Sequence, residues 1–135
     1  MAYPKRYSVE QAPREVVSLI NRLMPRLIAG DHPALVALRE QLNHARISEV
    51  EMTGVGFYAR FAVPPDAPLA SPANLTGGGA KIELSGVKHG AGCVLFVRKG
   101  RLTTLEGYTY DDPWPEDAQV LSVVDIVPIQ TGDAV

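Results

Sequence analysis

The residue types best able to do chemistry at short range meet in "KHGAGC", residues 88 to 93, where a histidine approaches the chain's single cysteine. His89 and Cys93 admit three readings: a thiol nucleophile with its base, half of a metal site, or a glycine turn between two strands. A cysteine nucleophile needs an orienting Asn or Asp and an oxyanion hole, and no catalytic signature surrounds Cys93. A zinc site needs four ligands, and the remaining histidines, His32 and His44, fall in a helical region without ligand-like spacing. Gly90 and Gly92 are what a turn with positive φ demands, and Cys93 opens "CVLFV", a core-like run in which a free thiol behaves as a small hydrophobe. The stretch therefore reads as a turn leading into a core strand. No metal and no cofactor is expected.

Three other patterns carry less chemistry than their letters suggest. "TGVGFYA" matches G-x-G-x-x-A, but a dinucleotide fingerprint must open a helix, and this one runs into the alternating strand pattern "FYARFAVP". "TGGGAK" lacks the Lys-Ser or Lys-Thr pair of a phosphate-binding loop and reads as a loop end. Arg14, Arg22 and Arg26 share a helical stripe without interleaved aromatics, which is a solvated face rather than a nucleic-acid ridge.

The segment with most to offer a partner is "EGYTYDDPWPED", residues 106 to 117. Tyr108, Tyr110 and Trp114 stand there among Asp111, Asp112, Glu116 and Asp117, with prolines stiffening the tip. Aromatic residues dominate binding energy at interfaces, and prolines reduce the ordering cost of a loop. The acids would steer a basic protein towards it. The opposing reading folds Trp114 back as a satellite core residue and leaves the acids to solvate a hairpin end. A rival site is a small-molecule or enzymatic pocket roofed by the loop from Pro64 to Gly79, drawing on Tyr58, Arg60, His89 and Glu106. It requires those side chains to converge beneath the loop.

These residues need elements to position them. Apolar residues from Val16 to Ile28 recur with helical period, predicting a helix from Ser8 to about Ala29, with Pro25 kinking it or splitting off its last turn. Asp31 is placed to cap a second helix, with Pro33 in its first turn and Leu35, Leu38, Leu42 and Ala45 along one face. Beyond Arg46 the period changes to two. Val55 to Val63 alternates as a strand, and further strands are expected at Lys81–Val87, Cys93–Arg98, Arg101–Tyr110 and Gln119–Ile129. The last is apolar on both alternating sets, which predicts a central strand covered on both faces, with Asp125 at a rim or satisfied by hydrogen bonds. The fold class is α+β: an N-terminal helical hairpin packed on one face of a mostly antiparallel sheet of about five strands.

Composition bounds the rest. A chain of 135 residues can bury a real core as one domain, residues 1–135, without disulfides. No apolar run approaches the roughly 18 residues of a membrane span, and "MAYPKRYSVE" has no apolar stretch of a secretory signal, so a cytoplasmic protein is expected. A net charge of -2 argues against nucleic-acid and membrane-surface binding. Its distribution is uneven: after Arg101 there are seven acids and no Lys or Arg. Small, mildly acidic α+β domains without a catalytic constellation are similar to bacterial immunity proteins, a likeness of size and charge alone that transfers no residue role. The leading expectation is thus a protein-binding module facing a basic partner. The small-molecule pocket is the alternative, and a homodimer through the doubly apolar strand or an open sheet edge is compatible with both.

Overall fold

The computed structural model describes residues 3–132. Its elements in chain order are β1 (Lys5–Tyr7), α1 (Arg14–Leu27), α2 (Pro33–His44), β2 (Arg46–Met52), β3 (Gly56–Ala62), β4 (Leu75–Gly77), β5 (Gly79–Leu84), β6 (Ala91–Arg98), β7 (Arg101–Thr109) and β8 (Val120–Val127). The fold is α+β, and every strand pairing is antiparallel. The sheet has eight strands in the order β1-β2-β3-β7-β6-β5-β8, with β4 also on β6. This corrects the expectation of about five strands and of helices preceding every strand. Among the described residues no helix is long and apolar enough to cross a membrane.

The helices start and stop where the backbone dictates. Pro13 occupies the N-cap of α1, and its carbonyl accepts from Val16 and Val17 N–H at 3.0 and 3.1 Å. Residues 8–12 are consequently a turn and not the first helical turns. Pro25 lies exposed in the last turn, and α1 runs through it to Leu27 without losing that turn. In α2 the cap is His32, whose Nδ1 accepts from Ala34 N–H at 3.0 Å, and not Asp31. One contiguous buried cluster joins Leu19, Ile20, Leu23 and Leu27 of α1 and Leu35 and Leu38 of α2 to Val50, Ala59, Ile82, Leu95 and Leu105 of the sheet.

Gln41 is the buried polar exception on α2. Its Nε2 donates to the Pro68 and Gly100 carbonyls, both at 2.7 Å, and its Oε1 accepts from Leu102 N–H at 2.9 Å. The helix is thereby fixed to the β6–β7 turn and to the proline-rich segment after β3. That segment is not a loose loop. Ala70 N–H donates to the Gly100 carbonyl at 2.9 Å, Gly100 N–H to the Ala73 carbonyl at 2.8 Å, and Arg101 to the Pro64 and Pro65 carbonyls. Its glycine-rich end is a bend: Leu75–Gly77 and Gly79–Leu84 both lie along β6, and a Cβ on Gly78 (φ +78°) would approach Leu27 at 3.1 Å.

The doubly apolar strand is the largest departure from expectation. β8 pairs only with β5 and ends the sheet instead of lying at its centre. Two register shifts against β5 put extra residues into β8, and Asp125 takes φ +53°. Such bulges move side chains from one face to the other. Leu121, Val124 and Val127 are accordingly exposed, at 63%, 50% and 49%, while Val123 is buried. Asp125 is exposed and pairs with Lys81 at 3.6 Å.

Candidate functional site

The segment after β7 is built inward from Trp114. Only 2% of Trp114 is exposed, and its ring meets Phe57 edge-on at 5.4 Å between centroids. Phe57 can lie there because Gly107 opposes it across β3 and β7, where a Cβ would fall 2.2 Å from the ring. Trp114 N–H donates to the Gly54 carbonyl at 2.9 Å. The expectation of Trp114 as an interface anchor is therefore corrected: burial of its large apolar area wins, and the indole serves the core.

The acids divide into engaged and displayed. Asp112 Oδ2 accepts from His89 N–H at 3.1 Å, and its carbonyl accepts from the Thr109 hydroxyl. Glu116 accepts from the Tyr3 and Tyr7 hydroxyls, both at 2.8 Å, and lies 3.3 Å from Lys5 Nζ. Burial alone would push the Glu116 carboxyl up, but those hydrogen bonds and the lysine hold it below its usual value. The same bonds raise Tyr3 and Tyr7. Asp111, in the left-handed region at φ +68°, and Asp117 remain exposed. Beside them Tyr110 is 48% exposed, with Tyr108 edge-on to it at 5.6 Å.

The tyrosines account for Gly92 of "KHGAGC", and a left-handed turn against β5 accounts for Gly90. A Cβ on Gly92 would meet the Tyr110 hydroxyl at 2.6 Å and Tyr108 Cζ at 3.0 Å, and one on Gly90 (φ +71°) would fall 2.8 Å from the Ile82 carbonyl. Cys93 follows inside β6, buried, its thiol pushed up to about 11 by that burial. His89 is exposed on the turn. Among the described residues no group of three or more His, Cys, Asp or Glu is placed to hold a metal ion.

Tyr58, Arg60 and Glu106 do share the outer sheet face, since Tyr58 lies opposite Glu106 in the β3–β7 register. Arg60 Nη1 is taken by Glu49 and Glu51, both at 2.9 Å, and its guanidinium lies 5.6 Å from the Tyr58 ring. The Glu106 carboxylate, then burial, raises Tyr58. An arginine held by two carboxylates is neutralised towards an anionic ligand. His89 belongs to the other end of the face, against Asp112. The segment after β3 lines a cavity of about 300 Å³ with Glu40 and His44 of α2 rather than roofing these residues.

A larger cavity, about 570 Å³, opens on the outer face where β5, β8 and the 85–90 turn meet. Lys81, Lys88, His89, Tyr110, Leu121 and Val124 are among its walls. Sequence reasoning reached Tyr110 and His89 but not Lys81, Leu121 and Val124, because a strand read with unbroken alternation hides its bulges. No protein-family model, curated protein or solved structure matches the chain.

Proposed function

We propose that the protein is a binding module that presents the anchored segment after β7 to a basic surface of another protein, as an immunity protein meets its target. The observation that carries this reading is pre-organisation. Trp114 is locked against Phe57, Asp112 onto His89 N–H and Glu116 onto Tyr3 and Tyr7, so Tyr110, Asp111 and Asp117 are displayed from a fixed backbone. A loop already ordered loses little entropy on binding, and an exposed tyrosine flanked by carboxylates combines an anchor with electrostatic steering.

The test is comparative capture of partners from the native host at low and moderate salt. The bait is wild type or a variant carrying Tyr110→Ala, Asp111→Asn and Asp117→Asn, all at exposed positions. A basic protein held by wild type, weakened by salt and lost by the variant is the expected result. Equal retention by the two baits would remove the loop from consideration as a docking surface.

A further inference from the structure

The exposed apolar residues of β8 belong to its face and not to an open edge. Val120 N–H donates to Glu15 Oε1 at 2.9 Å and Ile129 N–H to the Leu27 carbonyl at 2.8 Å, so α1 closes the strand at both ends. Covering an edge with a helix is a recognised protection against strand addition. The outer face has no such cover. There the β5–β8 register sets Lys81 beside Val124 and Glu83 beside Ser122, with Leu121 next in the chain. The Ser122 hydroxyl donates to Glu83 Oε1 at 2.8 Å. The patch therefore has two successive rows, Lys81 with Val124 and Glu83 with Ser122, and the bulged Leu121 borders the second.

We infer that this face is the interface of a homodimer. A two-fold axis lying in the interface, perpendicular to the strands and between the two rows, exchanges them. It sets Lys81 against Glu83 of the partner subunit and Val124 against Ser122 of the partner subunit, twice each, with the exposed Leu121 beside them. A surface that meets itself must carry both signs in alternation around an apolar centre, and this one does. Lys81 is available for the exchange: its ion pair with Asp125 spans 3.6 Å between side chains 79% and 66% exposed, a weakly held geometry. A foreign partner of a single sign finds both signs here, whereas a second copy finds each charge answered.

The test is molecular mass in solution by light scattering, with dilution from about 100 to 1 µM, a range suited to micromolar self-association. Wild type is expected at twice the 14.6 kDa chain mass at the upper end and to dissociate on dilution. Lys81→Glu and Glu83→Lys each place like charges at both symmetric contacts and are expected to weaken association roughly 100-fold. Mixed in equal amounts, the two variants restore opposite charges at both contacts and should recover the dimer. Unchanged circular dichroism confirms that these exposed substitutions leave the fold intact. A wild type monomeric throughout, single variants that dimerise like wild type, or a mixture that stays monomeric would each overturn the interface. Tyr110 lines the same cavity, so the capture variant is weighed by light scattering too: a dimer kept by that variant while it loses the captured protein separates the failure of one proposal from the failure of the other.

Discussion

A methyl group on Gly107 would fall among ring atoms of Phe57 at 2.2 to 2.8 Å, and those atoms in turn support Trp114. Gly→Ala within a strand ordinarily stabilises by reducing unfolded-state freedom. Here overpacking decides the sign, and Gly107→Ala should lose about 1–3 kcal/mol in urea unfolding with an unchanged denaturant slope. Cys93 makes a second prediction at this scale. A thiol raised to about 11 by burial is almost wholly protonated at neutral pH, so it should resist alkylation until denaturant is added. Rapid labelling of the folded protein would contradict its core placement. The turn-and-core reading of "KHGAGC" was legible because glycine and an apolar run speak about local backbone and burial. For Trp114 the sequence left two readings, interface anchor and satellite core residue, since prolines and acids on either side resemble an exposed loop, and the space at Gly107 across the sheet shows that the indole goes to the core.

Among the elements, α2 is held by Gln41 as much as by its apolar stripe. Gln41→Ala removes one donor from the Gly100 carbonyl, which keeps Ala70 N–H, and one from the Pro68 carbonyl of an exposed residue, and it takes the acceptor from the buried Leu102 N–H, where an unsatisfied group costs about 1–3 kcal/mol. The variant should lose about 1–3 kcal/mol beyond what lost packing alone predicts, and the segment from Pro64 to Asn74 should become cleavable by protease first. Cleavage elsewhere first would mean that Arg101 and Gly100 hold the segment without Gln41. Both helices were readable from their 3.6-residue period. β2 was hidden because Glu49 and Glu51 face Arg60 across the sheet, which makes "RISEVEM" look solvated. β4 was hidden by its glycine, part of the bend along β6, whereas the strand expected at Lys81–Val87 is β5, shifted to Gly79–Leu84. β8 was recognised as a strand but misplaced: apolar residues on both sets imply two covered faces only when the alternation is unbroken, and the bulge at Asp125 breaks it.

At the scale of the whole molecule, the first described residues are joined to the segment after β7 by one carboxylate, since Tyr3 and Glu116 are 113 residues apart. The candidate loop is therefore coupled to β1, and this coupling has a pH window. Glu116 lies below its usual 4.5 in the folded state, so its contribution is fully present above that value and is lost as pH falls through the lower folded value. Tyr3 and Tyr7 lie above their usual 10.0, so theirs is present below that value and is lost as pH rises through the higher folded values. The clamp should hold across the interval between and release at both extremes. Amide protection at Lys5–Tyr7, relative to intrinsic exchange, should fall on acidification before protection in β6 or β7 does, and phenolate absorbance should show Tyr3 and Tyr7 ionising late along with Tyr58 and Tyr108. Glu116→Gln keeps an acceptor but removes the charge, so the acid limb should vanish and both tyrosines should return towards ordinary titration. If β1 instead exchanges at the same rate in wild type and variant at every pH, its antiparallel ladder with β2 holds it alone, and the loop is anchored only through Trp114 and Asp112.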